Sequence, residues 1–202
     1  MAERLLRSHA PIILASTSAT RRSLCESVGL PVTCIAPSTD EDALKASLPP
    51  MPPADLARSL AEAKALSIST LQPDAYVIGA DQICALGSEI FGKSGHAEKA
   101  LAQLMRLQGQ THYQHSGYAI AHGGAILLSG TSDTRLRMHA WSEEELLRYI
   151  AAEQPFSSAG SYKFESLGRL LFAEVNGTTD MILGLPLSPV LSYFHQRGII
   201  AF

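Results

Sequence analysis

The chain has 202 residues, of which 46% are hydrophobic and 17% are charged, and its formal net charge is −3 at pH 7. This composition excludes a disordered chain, and no apolar run reaches the ~18 residues that a membrane span requires. The negative charge argues against a general nucleic-acid binder, because such proteins need a basic surface to contact phosphates.

Strands and helices alternate in the first half of the sequence. The apolar run Ile12–Ala15 predicts a buried strand, and Ser16, Thr17 and Ser18 are N-cap residues that open a helix closed by Gly29. The next predicted elements are a strand at 32–36, a proline-bounded mobile surface loop at 37–53, a helix at 54–69 and a strand at 76–80 that ends at Asp81.

Hairpins dominate the middle of the chain. Gly87-Ser88 predicts a tight turn between strands at 83–86 and 90–91, and Gly123-Gly124 predicts one between 113–122 and 125–128. The remaining predicted elements are a helix from 97 that ends at Gly109, a strand at 134–139, a helix opened by a capping box of Ser142 and Glu145, a mostly extended segment at 160–172 and a helix at 189–196.

Together these elements predict one α/β domain over residues 1–202, with a mixed β-sheet flanked by helices. No segment is long and polar enough to be a linker to a second domain. The three cysteines are scattered and odd in number, which excludes a disulfide framework and a C-x-x-C metal site. They are typical of small buried thiols in a reduced, cytoplasmic protein.

The segment Ser16–Arg22 is the first candidate site. A helix N-terminus leaves backbone N–H groups free and carries partial positive charge. The hydroxyls of Ser16 and Ser18 and the guanidinium groups of Arg21 and Arg22 add donors that suit phosphate oxygens. The alternative is a capped helix with solvated arginines. The segment is not a Walker loop, because G-x-x-x-x-G-K-[ST] is absent.

Carboxylates and lysines supply further candidates. Asp81 follows a buried strand, where open α/β sheets place functional residues, although an aspartate there can also simply form a turn. The acidic run Asp40-Glu41-Asp42 is either a solvated loop or a partner for a divalent cation. Lys64 and Lys93 suit phosphate, and each alone is also typical of a protein surface. Together these groups are what metal-assisted attack on a polyphosphate requires.

Ordered segments across nearly the whole chain match a set of motifs: Leu14–Ser18 with Arg21-Arg22 (LASxSPRR), Asp40-Glu41 (DE), Ala63–Ala65 (AxxKA), Gly79–Asp81 (GAD), Gly92-Lys93 (GKP), Ser116-Gly117 ([TS]G), Ala159–Tyr162 and Gly184–Leu187. These segments resemble signatures of the Maf family of nucleoside triphosphate pyrophosphatases. The chain departs from the family pattern at Ala19-Thr20 and at Ser94, where the family often has proline.

The resemblance implies a single elongated α/β domain with a cleft between two lobes, assembled as a homodimer. It implies hydrolysis of a nucleoside triphosphate to the monophosphate and pyrophosphate with a divalent metal cation, Mg²⁺, Mn²⁺ or Co²⁺. By this resemblance Asp81 is the essential acid and a metal ligand, and Glu41 serves catalysis either as a metal ligand or by supporting the base. Arg21 contributes to specificity and contacts phosphate, Lys64 contacts phosphate, and Lys93 contacts phosphate and also serves catalysis. Neither a membrane nor a nucleic-acid polymer is expected as a partner.

Two positions distinguish the branches of this family. The pyrimidine-preferring branch has GADT and YxIQG, whereas this chain has Gln82 after GAD and Glu165 after Tyr162-Lys163-Phe164, which resembles the branch that prefers 7-methyl-GTP. A carboxylate accepts from both the N1–H and the N2 amino group of guanine, whereas a glutamine amide matches uracil or thymine. The methylated base is also cationic, which favours a carboxylate. A dTTP/UTP pyrophosphatase and a non-catalytic nucleotide-binding regulator of division stay open as alternatives.

Overall fold

The computed structural model describes residues 6–202. Its strands are β1 (Arg7–Ser8), β2 (Ile12–Ala15), β3 (Thr33–Ile35), β4 (Tyr76–Leu86), β5 (Glu89–Phe91), β6 (Thr111–His122), β7 (Ala125–Met138), β8 (Phe172–Asn176) and β9 (Ile200–Ala201). Its helices are α1 (Ala19–Ser27), α2 (Glu41–Ser47), α3 (Pro53–Ser69), α4 (Ala97–Leu107), α5 (Glu143–Glu153), α6 (Thr179–Ile182) and α7 (Leu187–Gln196), with a 3₁₀ helix at Leu167–Leu171. Within residues 6–202, no helix combines the length and hydrophobicity needed to cross a membrane.

The main sheet has seven strands. Six lie in the order β3-β2-β4-β6-β7-β8, and β5 pairs with β4. Strand β2 runs parallel to β3 and β4, whereas β5 is antiparallel to β4 and β8 is antiparallel to β7. The predicted mixed sheet is therefore confirmed. Strands β1 and β9 form a separate antiparallel pair that the sequence pattern did not predict.

The described residues form two compact units. Unit 1 comprises the residues up to Asp81, Ser116–Ser132 and Gly184–Phe202, and unit 2 comprises Gln82–His115 and Asp133–Leu183. Strands β4, β6 and β7 each contribute residues to both units. Because three strands are shared in this way, the fold is a single α/β domain, as predicted.

In unit 1, helices cover both faces of the sheet. Successive residues of a strand point to opposite faces. Leu14 and Ile78 pack in one apolar cluster with residues of α1 and α7, whereas Ile13 and Val77 pack in another with residues of α3. All four residues of β2 are buried, which explains why this strand is an uninterrupted apolar run.

Two glycines let α3 lie close to the sheet. A Cβ atom on Gly79 of β4 would lie 2.1 Å from the carbonyl oxygen of Ala61, and one on Gly117 of β6 would lie 2.1 Å from that of Ala57. No side chain fits at either position, because backbone cannot yield to such a contact. The two glycines therefore fix where α3 crosses β4 and β6.

Unit 2 has its own core between α4, α5 and the sheet. Leu104 and Leu107 of α4 are fully buried in one apolar cluster with Leu146 of α5. The predicted capping box is present at the start of α5, where Ser142 and Glu145 satisfy each other's backbone N–H groups. The box satisfies the first turn of the helix whose apolar residues pack against α4.

The predicted loop at 37–53 contains a helix, α2, so this prediction was wrong. Asp40 caps α2 by accepting hydrogen bonds from the backbone N–H groups of Asp42 and Ala43. Glu41 and Asp42 lie in its first turn, where the helix dipole favours negative charge. The acidic run is thus a helix N-terminal signal that outweighs the surrounding prolines.

The segment 160–172 is not mostly extended, so this prediction was also wrong. Gly160 and Ser161 have positive φ angles of 76° and 58° and lie in a turn, not in an extended segment. Turns and the 3₁₀ helix at Leu167–Leu171 follow, and strand β8 starts only at Phe172. The segment is compact because apolar side chains such as Tyr162 and Phe164 turn inward to the core of unit 2.

Candidate active site

The packing of α3 on β4 brings a lysine beside an aspartate. Ala61 lies against Gly79, and one turn further along α3 Lys64 lies next to Asp81, which is two residues beyond Gly79 on the same face of β4. The sequence predicted that this strand ends at Asp81. That prediction was wrong, because β4 continues to Leu86. Regular strand geometry therefore fixes the position of the Asp81 carboxylate.

Lys64 joins two carboxylates. Its Nζ lies 2.5 Å from Oδ1 of Asp81 and 2.8 Å from Oε1 of Glu41. Lys64 and Asp81 are only 4% and 7% exposed, whereas the Glu41 side chain is 41% exposed. Thr39, which lies just before α2, connects this segment to α3, because its Oγ1 donates to the carbonyl oxygen of Ala63 at 3.3 Å. The acidic run is therefore more than a solvated charged segment, because Glu41 has a buried lysine as its partner.

Arg21 lies near the same carboxylates. Burial lowers the pKa of its guanidinium group, and the negative charges of Asp81 and Glu41 oppose that shift. Its Nε donates to the carbonyl oxygen of Gly184 at 2.9 Å. The alternative of solvated arginines is thus wrong for the half-buried Arg21, whereas Arg22 is exposed.

Two serines shape the start of α1. Oγ of Ser16 accepts from the N–H of Ser18 at 3.1 Å, and Oγ of Ser18 accepts from the N–H of Arg21 at 3.3 Å. Both hydroxyls act here as acceptors, so each keeps its own proton to donate. Three further N–H groups between residues 17 and 20 donate to no group in the described part of the chain. The first turn of α1 therefore presents a set of donors to an anion.

This constellation of a lysine between two carboxylates, with a half-buried arginine at a helix N-terminus, lies within the segments that carried the resemblance. The family described as Maf-like protein matches residues 11–197. The chain belongs to the Maf-like protein family. The match extends over almost the whole of both units, so it covers every candidate site residue named from the sequence.

Members of the Maf-like family that resemble this chain are named nucleoside triphosphate pyrophosphatase. One from Rhodopseudomonas palustris (strain BisB18) is 39% identical over 194 residues, which cover 95% of this chain and 96% of the relative. One from Bradyrhizobium diazoefficiens is 38% identical over 199 residues, which cover 98% of each. Nucleoside triphosphate pyrophosphatase 1 of Jannaschia sp. (strain CCS1) is 40% identical over 194 residues, which cover 94% of this chain and 98% of the relative.

The Maf-like GAD segment continues into Gln82, which belongs to unit 2. Nε2 of Gln82 donates to the carbonyl oxygens of Met181 at 3.1 Å and Ile182 at 2.6 Å. Both hydrogens of this amide nitrogen are used within the protein, so Gln82 cannot donate them to a nucleotide in this conformation. The amide holds α6 against β4, and a contact between Gln82 and substrate stays a prediction.

Glu165 lies exposed in the turn that precedes the 3₁₀ helix of unit 2. Before it, Tyr162 and Phe164 are buried in the core, so they present no free ring face to a base. After it, Oγ of Ser166 donates to Oε2 of Glu153 at 2.7 Å. The Glu165 carboxylate therefore projects from a segment whose neighbours on both sides are held in place.

Lys93 is exposed just beyond β5, also in unit 2. Its backbone pairs with Ala159 in an isolated antiparallel bridge. Ser94 stands where the Maf-like pattern has proline, and its buried hydroxyl has no hydrogen-bond partner among residues 6–202. The structure therefore fixes the backbone of Lys93 and leaves its ammonium group accessible to an anion.

The carboxylates of unit 1 offer ligands to a divalent cation. Among the described residues, no group of three His, Cys, Asp or Glu side chains could hold a metal ion. Asp81 and Glu41 contact the same lysine, so the two carboxylates lie near each other, and a cation bound between them would compete with the Lys64 ammonium group. Mg²⁺ is usually bound by one or two carboxylates and takes its remaining ligands from water and substrate phosphates. The donor set therefore fits a cation of this kind.

Sequence reasoning missed a buried polar network in unit 2. The hydroxyl of Tyr162 contacts Nε2 of His112 at 3.0 Å and accepts from Nε2 of Gln114 at 2.7 Å. Burial lowers the pKa of His112 to about 4 and raises that of Tyr162. A signal for this network was present in the sequence, because positions 112, 114 and 116 alternate as the inward face of β6.

Proposed function

We propose that this protein hydrolyses 7-methyl-GTP to 7-methyl-GMP and pyrophosphate. The reaction class, a hydrolase that releases pyrophosphate from a nucleoside triphosphate, is supported by membership of the Maf-like family and by the name of its relatives. The observation that carries it is Lys64, buried between Asp81 and Glu41 beside Arg21. A buried aspartate that shares a buried lysine with a partly exposed glutamate, next to anion donors, suits phosphoryl transfer, which depends on positioning and electrostatic stabilisation.

The triphosphate has its donors in the first turn of α1. The free N–H groups of that turn, the hydroxyls of Ser16 and Ser18 and the guanidinium groups of Arg21 and Arg22 supply hydrogen bonds and positive charge. Lys93 adds an exposed cation. These groups compensate the negative charge of a polyphosphate, which the two carboxylates would otherwise repel.

The chemical step is attack of water on the α-phosphorus. A bond forms from the water oxygen to phosphorus, the bond to the bridging oxygen breaks, and pyrophosphate leaves with that oxygen. Asp81 orients the water and accepts its proton, and Lys93 neutralises charge on the leaving group. A divalent cation such as Mg²⁺, Mn²⁺ or Co²⁺, held by Asp81 and Glu41, would supply Lewis-acid stabilisation of the phosphate oxygens.

Glu165 is proposed to select the base. Its exposed carboxylate can accept from the N1–H and N2 amino groups of guanine at the same time. The positive charge of a 7-methylguanine adds attraction that plain GTP lacks. Tyr162 and Phe164 are buried, so selectivity depends on hydrogen bonds and charge more than on stacking against these rings.

The test is a nucleotide panel with purified protein and one divalent cation. Pyrophosphate and nucleoside monophosphate are quantified together for 7-methyl-GTP, GTP, dTTP and UTP, with EDTA as the metal control. Equal amounts of 7-methyl-GMP and pyrophosphate, with the highest kcat/KM for 7-methyl-GTP, support the proposal. A preference for dTTP or UTP would contradict the assigned substrate but would support the reaction class. Binding without turnover for every nucleotide contradicts the reaction itself.

A further inference from the structure

Gln103 of α4 is a buried amide that uses both of its polar atoms. It is only 8% exposed, its Nε2 donates to the carbonyl oxygen of Gly92 at 3.0 Å, and its Oε1 accepts from Oγ of Ser161 at 2.6 Å. The neighbouring buried positions of α4, Leu104 and Leu107, are apolar. A leucine at position 103 would complete that apolar stripe, so the amide is distinguished by the two segments that it connects.

The two connected segments lead to two proposed substrate contacts. Gly92 directly precedes Lys93, which is assigned to phosphate. Ser161 is fully buried in a turn with a φ angle of 58° and lies four residues before Glu165, which is assigned to the base. Gln103 therefore bonds a residue close to each functional side chain, while the side chains of Lys93 and Glu165 themselves stay exposed.

A second set of contacts joins the same segments. The backbone of Lys93 pairs with Ala159. Nε2 of Gln114 donates to the carbonyl oxygen of Ala159 at 3.4 Å and to the hydroxyl of Tyr162 at 2.7 Å. The turn at 159–162 is thus held from β6 on one side and from Gln103 on the other. A displacement of either segment would be transmitted to the other through these bonds.

We propose that Gln103 is a positioning residue that holds Lys93 and Glu165 in one fixed geometry, so that phosphate binding and base recognition are coupled. This inference rests on the proposed function in one respect, the contact of Lys93 and Glu165 with the nucleotide. Gln103 is buried and acts only through them. A misplacement of about 1 Å can slow a reaction roughly 100-fold, so a remote hydrogen-bonded amide is sufficient for a measurable effect.

Two variants test the proposal, and two act as controls. Gln103→Met keeps the length and helix propensity of the side chain but cannot donate to Gly92. Ser161→Gly removes the hydroxyl and tolerates the positive φ angle, so this variant is expected to fold. Ser94→Ala deletes a buried hydroxyl that has no partner among the described residues, and Leu107→Val opens a small cavity in the same helix.

The expected result is a change in KM and in nucleotide preference. Gln103→Met and Ser161→Gly should each raise the KM for 7-methyl-GTP about 10-fold and reduce its preference over UTP about 5-fold, whereas both controls keep the wild-type values. A merely unstable enzyme loses active molecules, so its kcat falls equally for every nucleotide at unchanged KM. In a Lys93→Ala background, Gln103→Met should raise the KM for 7-methyl-GTP by a smaller factor than it does in the wild-type background, because the cation that Gln103 positions is absent.

Hydrogen exchange separates this inference from the proposed function. In Gln103→Met, amide protons at 92–94 and 159–166 should exchange at least about 10-fold faster, while those of α5 keep their protection. Absence of turnover on every nucleotide would contradict the proposed function. Hydrogen exchange would still test whether Gln103 holds the two segments in place. Unchanged exchange in both segments overturns the role of Gln103, as does unchanged KM and preference in an active enzyme.

Discussion

The ammonium group of Lys64 lies 2.5 Å from the carboxylate of Asp81, and both side chains are almost completely buried. Two carboxylates on one lysine leave the group with a formal charge of −1, and the half-buried Arg21 beside them compensates that charge. A site that is electrically balanced before substrate arrives can hold a reactive carboxylate in a fixed orientation, so that little reorganisation is needed during the reaction.

Asp81→Asn should reduce pyrophosphate release by at least about 100-fold, because the amide keeps the volume of the side chain but cannot accept the proton of the attacking water. It should also lower the free energy of unfolding by about 3 kcal/mol, since a buried ammonium group loses one of its partners. Steady-state kinetics and urea denaturation measure the two effects on the same preparation.

The double variant Lys64→Met with Asp81→Asn separates these two effects. Removing both charges relieves the uncompensated lysine, so most of the lost stability should return. Turnover should stay low, since the carboxylate is still absent. Near-normal turnover in either variant would show that Asp81 is structural and that the mechanism proposed here is wrong.

Lys93→Ala and Arg21→Ala should differ in their effect on stability. Lys93 is exposed, so its removal should change the free energy of unfolding by less than about 0.5 kcal/mol while lowering kcat/KM. Arg21 binds the carbonyl oxygen of Gly184 and lies near Asp81, so its removal should cost about 1–3 kcal/mol in addition to activity. Thermal melting and kinetics of both variants check this. Equal stabilities, or unchanged kinetics in Lys93→Ala, would contradict it.

His112 should make the fold sensitive to acid. Burial lowers its pKa to about 4 in the native state, whereas the unfolded chain has the ordinary value near 6.5. Between these values the unfolded state binds more protons, so the free energy of unfolding falls as pH decreases from about 6.5 to 4. The loss attributable to this one group is about 3 kcal/mol.

The measurement is urea denaturation at pH 7 and pH 4.5 for wild type and His112→Gln. Wild type should lose more stability than the variant over this interval, because glutamine does not titrate. Identical losses in both proteins would show that other groups set the acid sensitivity.

The elements around the site were largely predictable, because their signals are local. The apolar run Ile12–Ala15, the serines of the α1 N-terminus and the capping box of α5 each act within a few residues. The helix α2 could have been predicted as well, since Asp40 followed by two acids is a local capping signal. Flanking prolines obscured it.

The pairing inside the site was not predictable from pattern alone. Lys64 meets Asp81 and Glu41 because a glycine at position 79 lets α3 approach β4, and this is a contact between distant parts of the chain. Periodicity marks the faces of an element but not which element will cover it. The resemblance to the Maf family named these residues without their geometry, and the metal, the homodimer and the base contact of Glu165 stay predictions.

The contacts of Gln103 were also not predictable from the sequence pattern. Its place in the apolar stripe of α4 is visible in the sequence, yet a polar residue there can equally well mark the edge of a buried face. Only the fold reveals that Gly92 and Ser161 lie on either side of it.

The ratio of kcat/KM for 7-methyl-GTP to that for UTP, in wild type and in Glu165→Gln, tests the central claim most directly. Wild type should prefer 7-methyl-GTP. The substitution should lower the ratio about 5- to 150-fold, because one donor of guanine then faces an amide NH₂ while the amide matches uracil, a mismatch of about 1–3 kcal/mol. A wild-type preference for UTP, or an equal loss on both nucleotides, would contradict the assignment of Glu165 as the residue that selects the base.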